Sequence, residues 1–139
     1  MIPFLDLKAT NSRYRDLISN AVERVIASGW YILGEEVSSF ETEFAAYTGS
    51  KHCVSVANGL DALTLSLRAL DIGPGDEVIV PSHTYIATWL AVSQTGATPV
   101  PVESGVDSYT ISASRIEEAI SSRTKGIIPV HLYGQACDL

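Results

Sequence analysis

Two strand-to-helix turns of this sequence carry residue types that could hold a ligand. At the first turn, Asn58-Gly-Leu-Asp61, a glycine lets another group approach the backbone closely. The first amides of a helix have no carbonyl partners and the helix dipole is positive there. A phosphate monoester would therefore fit at Gly59, Leu60 and Asp61 without a basic residue. A structural interpretation stays open, in which Asn58 caps the helix and Asp61 complements the dipole.

The second turn runs from Pro81 to Trp89 and contains an aromatic residue near the strand end. Tyr85 is expected in the first turn of the next helix, where its ring could stack on a flat heteroaromatic ligand. Alternatively, Tyr85 and Trp89 are four residues apart and could form one core stripe. His83 is expected to form a hydrogen bond, and no second histidine or carboxylate at ligand spacing supports a metal site.

The elements that must position these turns alternate between helices and strands. Apolar residues at three- and four-residue spacing predict helices, and short β-branched runs predict strands. After an extended opening segment, the predicted helices span residues 12–28, 35–47, 60–70, 84–95 and 113–121. The first of them is expected to be capped by Asn11 or Ser12, and the first two to end at Gly29 and Gly49. The predicted strands span residues 52–57, 77–80, 99–102 and 125–132.

This alternation is typical of an α/β protein with a largely parallel sheet covered on both faces. Pro99, Pro101 and Pro129 fall within predicted strands, so they are expected at edges or strand ends. Ligands of such sheets bind beyond the carboxyl ends of the strands. That rule selects both turns described above and adds a third segment, residues 131–135.

Composition excludes several classes of protein. The net charge is −7, and the nine basic residues are scattered, so nucleic acid is not an expected partner. No apolar run is long enough to cross a bilayer, so no membrane partner is expected. Cys53 and Cys137 lack metal-ligand spacing and are expected to be reduced core thiols of a cytoplasmic protein.

An ordered set of motifs resembles the DegT/DnrJ/EryC1/StrS family of nucleotide-sugar aminotransferases. The resemblance covers the whole chain, and the order of the motifs makes it specific although each one is modest. The matching stretches are Pro3-Phe-Leu-Asp-Leu7, Ser28-Gly-Trp-Tyr-Ile-Leu-Gly34, Asn58-Gly-Leu-Asp-Ala-Leu63, Gly73-Pro-Gly-Asp-Glu-Val-Ile-Val-Pro-Ser82, Thr84-Tyr-Ile-Ala-Thr88, Gly96-Ala97 and Pro129-Val-His-Leu-Tyr-Gly134. The sequence is most similar to the branch that aminates dTDP-linked 3-keto-6-deoxyhexoses.

The resemblance implies a fold, a cofactor and site residues. The fold would be the N-terminal part of the large domain of fold-type I, aspartate aminotransferase-like enzymes, with a mostly parallel sheet and flanking helices. The cofactor would be pyridoxal 5'-phosphate (PLP), bound through its phosphate at Gly59, Leu60 and Asp61 and stacked on Tyr85. Many members have threonine where this chain has Leu60, which leaves only backbone amides there. Tyr31 matches a region near the substrate pocket.

The resemblance also implies what the chain would do and with which partners. The partners would be a nucleotide-linked keto-sugar and an amino-acid donor, usually glutamate, and the full-length protein would be a homodimer. Residues 1–49 would form an N-terminal helical segment, and residues 50–139 the first part of the PLP-binding domain.

No catalytic residue is expected within the chain. The family's cofactor-binding lysine would lie beyond residue 139, since Lys8, Lys51 and Lys125 do not match its context. The chain is therefore expected to be truncated relative to the family, inactive alone and prone to aggregate. Two alternatives stay open: a non-catalytic binding or dimerisation module, and a Rossmann-like nucleotide-binding domain, although no Gly-x-Gly-x-x-Gly motif follows the first strand.

Overall fold

A computed structural model describes residues 3–139 of the chain. They form two compact units, which divide between Ser55 and Val56. The first two residues of the expected 1–49 segment lie outside the described part. The division follows Ser55, later than the expected boundary after residue 49, and each unit is described below by itself.

The first unit consists of three helices. They are α1 (Leu7–Ser12), α2 (Arg15–Ser28) and α3 (Glu35–Thr48). Gly29 and Gly49 end α2 and α3 with φ values of 66° and 70°, as predicted, because glycine adopts left-handed backbone without a Cβ clash.

The start of the first unit differs from the prediction. The opening segment is not extended throughout, because the Asp6 side chain accepts a hydrogen bond from the Ala9 amide at 2.9 Å and caps α1. The predicted caps Asn11 and Ser12 instead lie inside α1. The chain turns at Tyr14, so α2 begins at Arg15 rather than at residue 12.

The second unit contains a three-stranded parallel sheet and three helices. In chain order the elements are α4 (Gly59–Ala69), β1 (Glu77–Pro81), α5 (Ala87–Thr95), β2 (Thr98–Val102), α6 (Ala113–Ala119), β3 (Thr124–Ile127) and a 3₁₀ turn (Leu132–Gly134). The strand order is β2-β1-β3, and both pairs are parallel. The predicted α/β architecture with a parallel sheet is confirmed.

Two of the prolines in the predicted strands lie in an edge strand of the sheet. β2 is an edge strand, and its Pro99 and Pro101 lie opposite Val78 and Val80 of β1. An edge strand needs no amide donors on its outer side, so the predicted edge position of these prolines is confirmed. Pro129 lies beyond β3, which ends at Ile127 rather than at residue 132.

The predicted strand at residues 52–57 does not form. Within residues 3–139 no strand pairs with this segment, and the side chain of Val54 is exposed. The Ser55 amide instead donates to the Glu41 carboxylate at 2.6 Å. A β-strand needs a neighbour for its backbone groups, and the alternation of apolar residues cannot supply one.

The core of the second unit lies on the two faces of β1, all five residues of which are buried. Val78 and Val80 face one cluster, which is completed by Leu67, Ile72, Ala91, Val92 and Ala97. Ile79 faces the opposite cluster with Val102, Ile111 and Cys137. This alternation follows from the two-residue repeat of a strand, and it covers both faces of the sheet.

Both cysteines are free thiols. Cys137 is buried, as predicted, and Cys53 is half-buried. Among residues 3–139, none of the helices has the length and apolar character needed to span a membrane.

Candidate functional site

The N-terminus of α4 is shaped by Asn58. Its Oδ1 accepts a hydrogen bond from the Asp61 amide at 2.9 Å, and its Nδ2 donates to Asp61 Oδ2 at 3.1 Å. The predicted capping role of Asn58 is confirmed. The Asp61 carboxylate is held by the Asn58 side chain, so it turns back toward the cap.

Two amides at this N-terminus remain available. Within residues 3–139, the amides of Gly59 and Leu60 donate no hydrogen bond, whereas the Ala62 amide donates to Asn58 O at 3.1 Å. A Cβ placed on Gly59 would meet nothing within 4 Å, so the space beside the backbone is open. Because the Leu60 side chain packs against the core, its backbone amide is the group that is available to a ligand.

Tyr85 lies in the segment between β1 and α5. Its side chain is 77% exposed, so the alternative in which Tyr85 joins a core stripe with Trp89 is wrong for Tyr85. Trp89 is half-buried, packs against the core and donates from Nε1 to Pro81 O at 3.1 Å. Because α5 begins at Ala87 rather than at residue 84, Tyr85 precedes the helix instead of lying in its first turn.

The two turns lie at the same edge of the sheet. A Cβ on Gly73, between α4 and β1, would be 3.6 Å from Thr95 O at the end of α5, so the C-terminal ends of both helices meet beside the start of β1. The Arg68 guanidinium near the end of α4 also donates to Gln94 O at 3.3 Å. Both helices therefore run back along the strands, and their N-termini point to the carboxyl edge. The directions of α4 and α5 therefore place Gly59 and Tyr85 at the same edge of the sheet.

The third segment selected by the sheet rule has an unusual backbone. Tyr133 has a φ of 57°, a left-handed conformation that is uncommon for a tyrosine. Its ring contacts those of His83 and Tyr109. Within residues 3–139 the His83 side chain makes no hydrogen bond, contrary to the prediction. Tyr133 lies in the selected segment 131–135 but was not singled out as a site residue, and Tyr109, which follows β2, was missed.

Tyr31 belongs to the first unit, in the loop between α2 and α3. It is exposed and lines a cavity of about 290 Å³ together with Trp30 and the ion pair of Arg24 and Glu36. The Arg24 guanidinium donates from Nε to Glu36 Oε1 at 2.6 Å and from Nη2 to Oε2 at 3.0 Å. These hydrogen bonds lower the pKa of Glu36 and raise that of Arg24.

The model of the DegT/DnrJ/EryC1/StrS aminotransferase family matches residues 13–139. The chain belongs to this family. Its membership confirms the resemblance seen in the sequence motifs.

Individual relatives cover the whole chain. A dTDP-3-amino-3,6-dideoxy-alpha-D-galactopyranose transaminase of Aneurinibacillus thermoaerophilus is 63% identical over 139 residues, which are 100% of this chain and 38% of that protein. The crystal structure of S. venezuelae DesV with a ketimine intermediate has a TM-score of 0.94 at 58% identity, covering 99% of this chain and 37% of DesV. The structure of Bacillus subtilis NtdA with bound PMP has a TM-score of 0.89 at 35% identity, covering 99% and 32%.

These comparisons confirm the fold class. The chain has the fold of the corresponding parts of DesV and NtdA. It spans about a third of the length of these relatives, from 32% to 38%.

Proposed function

We propose that the protein is a PLP-dependent aminotransferase that transfers an amino group from an amino acid to a nucleotide-linked keto-sugar. The proposed donor is glutamate, the usual donor of the family. The Aneurinibacillus thermoaerophilus relative is a transaminase of a dTDP-linked amino sugar, which supports a dTDP-3-keto-6-deoxyhexose as substrate. The observation that carries the proposal is that two free helix amides and an exposed aromatic ring share the carboxyl edge of one parallel sheet.

The residues of this edge fit PLP. A phosphate is stabilised by free amides at the positive end of a helix dipole, which Gly59 and Leu60 offer beside open space. The Asp61 carboxylate would repel a phosphate, but the Asn58 amide engages it. The exposed ring of Tyr85 can stack on a pyridine ring. PLP itself would supply the electron sink for amino transfer.

In this proposal, residues of this chain bind and orient PLP and take no covalent part in the reaction. Gly59 and Leu60 fix the phosphate end, and Tyr85 fixes the plane of the ring, so that a reacting group is presented in one geometry. The Asp61 amide, predicted as a further phosphate donor, instead donates to Asn58 Oδ1. Tyr31 would contact the sugar substrate. The homodimer stays a prediction from the resemblance, and the cytoplasmic location stays a prediction from the two cysteines.

Titration of the complete protein with PLP, followed by absorbance and by fluorescence quenching, tests the proposal. We expect saturable binding, and about 3- to 10-fold weaker binding for Tyr85→Leu because a stacking ring is lost. Tyr47→Leu is the matched control, since Tyr47 is also exposed but lies on α3. Absence of saturable binding would reject the cofactor and favour the non-catalytic module.

The substrate class needs a second measurement. With glutamate as donor, we expect amino transfer to a dTDP-linked 3-keto-6-deoxyhexose, detected by mass spectrometry of the product. An inactive protein that still binds PLP would refute the sugar assignment while leaving the cofactor in place.

A further inference from the structure

Three aromatic side chains outside the proposed cofactor contacts form a cluster at the carboxyl edge of the sheet. The ring centroids of His83 and Tyr109 are 5.9 Å apart, those of His83 and Tyr133 are 6.3 Å apart, and those of Tyr109 and Tyr133 are 5.5 Å apart. The two tyrosines meet edge to face, at an interplanar angle of 85°. Each ring follows a different strand, so the cluster joins three separate connections.

The Tyr133 end of the cluster is anchored to the core. The Cys137 amide donates to His131 Nδ1 at 3.0 Å, and Cys137 is itself buried in the cluster around Ile79. The Gly134 amide donates to His131 O at 3.1 Å, which closes the turn around the left-handed Tyr133. A left-handed tyrosine is costly and persists where its surroundings fix it.

The Tyr109 end is anchored in the same way. The next two residues, Thr110 and Ile111, are buried, and Ile111 forms an antiparallel bridge with Ser104. The Gly105 amide donates to Thr110 O at 3.1 Å. Both tyrosine rings therefore project from loops whose backbones are held by the core.

His83 has no such anchor of its own. Its side chain is exposed and makes no hydrogen bond to any residue of the 3–139 segment. Its neighbours are fixed, since the Ser82 amide donates to Val102 O at 2.9 Å and the hydroxyls of Thr84 and Thr88 are 3.0 Å apart. The two tyrosine rings are thus the contacts that hold the His83 side chain, two residues before Tyr85.

We propose that Tyr109 and Tyr133 are positioning residues that hold His83, and through it the segment that presents Tyr85 to the cofactor ring. This inference rests on the proposed function. If the segment were loose, Tyr85 would have to be ordered when PLP binds, and that ordering would lower affinity. The cluster adds to the hydrogen bonds of Ser82 and Thr84, and so lowers this ordering cost before PLP binds.

The test is a PLP titration of the complete protein carrying Tyr109→Leu or Tyr133→Leu, with induced circular dichroism of the bound cofactor as a second readout. We expect about 2- to 10-fold weaker PLP binding, because an aromatic pair is lost, and a weaker dichroic signal. Tyr109→Phe keeps the ring and should retain affinity within about twofold. The Phe variant and the melting temperature of each apo-protein separate this effect from general unfolding.

A double-mutant cycle shows whether the cluster acts through Tyr85. In a Tyr85→Leu background, Tyr109→Leu should weaken PLP binding no further, because the ring that it positions is gone. An equal loss in both backgrounds overturns the inference. It is also overturned if the Leu variants bind PLP normally but raise the KM for the sugar, since the rings would then contact substrate. If the unsubstituted protein binds no PLP, the proposed function fails as well; if it binds PLP and the variants are unchanged, only this inference fails.

Discussion

The two units of the chain differ in what they do with their apolar residues. Among residues 3–55, Ala45 alone is buried, whereas β1 in the second unit buries all five of its residues. The apolar stripe of α2 is exposed along its length, at Leu17, Ile18, Val22 and Ile26. Within the first unit these side chains have no core to enter.

The difference shows that the same sequence pattern, an amphipathic helix, is stabilised in different ways in the two units. Both units contain amphipathic helices, but only the second adds a sheet whose two faces the helices cover. The helices of the first unit therefore depend more on caps, glycine ends and ion pairs, which contribute less than burial. Three matched pairs of substitutions test this contrast.

The largest contrast is expected between Ile79→Ala and Ile26→Ala. Ile79 is 0% exposed and Ile26 is 62% exposed. We expect Ile79→Ala to lower the free energy of unfolding by about 2–5 kcal/mol because it leaves a cavity, and Ile26→Ala by about 1 kcal/mol or less. Urea unfolding of the 139-residue chain, followed by circular dichroism, measures both. Equal losses would mean that Ile26 is buried in the folded chain and that the contrast is wrong.

Most helices were predicted well from the sequence, because the residues that start and end a helix lie within it or next to it. The helix predicted at residues 35–47 spans Glu35–Thr48, and glycine ends it as expected. The helix predicted from Leu60 begins one residue earlier, at Gly59, where Asn58 caps it. The strand predicted at residues 52–57 was wrong, since a strand depends on a neighbour that the segment's own sequence does not specify.

The candidate site was predictable in part for the same reason. The strand-end rule selected Gly59 and Tyr85, and the direction of α4 and α5 brings them to one edge. It did not reveal that Tyr133 would turn through a φ of 57° to meet Tyr109 and His83. Such a contact depends on the paths of three loops, which periodicity does not encode.

The second contrast concerns two glycines that end helices in left-handed conformations. A Cβ on Gly96 would lie 2.9 Å from Pro74 Cγ, whereas a Cβ on Gly29 would meet nothing within 4 Å. We expect Gly29→Ala to cost about 1–2 kcal/mol from its backbone conformation, and Gly96→Ala about 2–4 kcal/mol because the rigid proline ring must also move. Thermal melting of both variants measures the difference. Equal shifts would show that the region around Pro74 is as open as the end of α2.

The third contrast concerns the two ion pairs. Glu77 at the start of β1 is buried and accepts hydrogen bonds from the side chains of Arg123 and Ser121. Glu77→Gln should cost about 1–3 kcal/mol, because the groups around it lose a charged acceptor. Glu36 in the first unit is more exposed, so Glu36→Gln should lower the melting temperature only slightly. Urea unfolding of both variants at neutral pH gives the comparison.

The pH dependence of the Glu36 pair distinguishes a weak interaction from an absent one. Hydrogen bonds from Arg24 lower the pKa of Glu36 from its usual value of 4.5, so the folded chain binds a proton there less readily than the unfolded chain does. The stabilisation is therefore present above pH 4.5 and is lost as the pH falls through the lower, folded pKa. We expect the small difference in melting temperature between the unsubstituted chain and Glu36→Gln to vanish in that acidic range. It should also shrink at high salt, because exposed charges are screened. A difference that persisted at low pH would show that Glu36 acts through packing rather than through its charge.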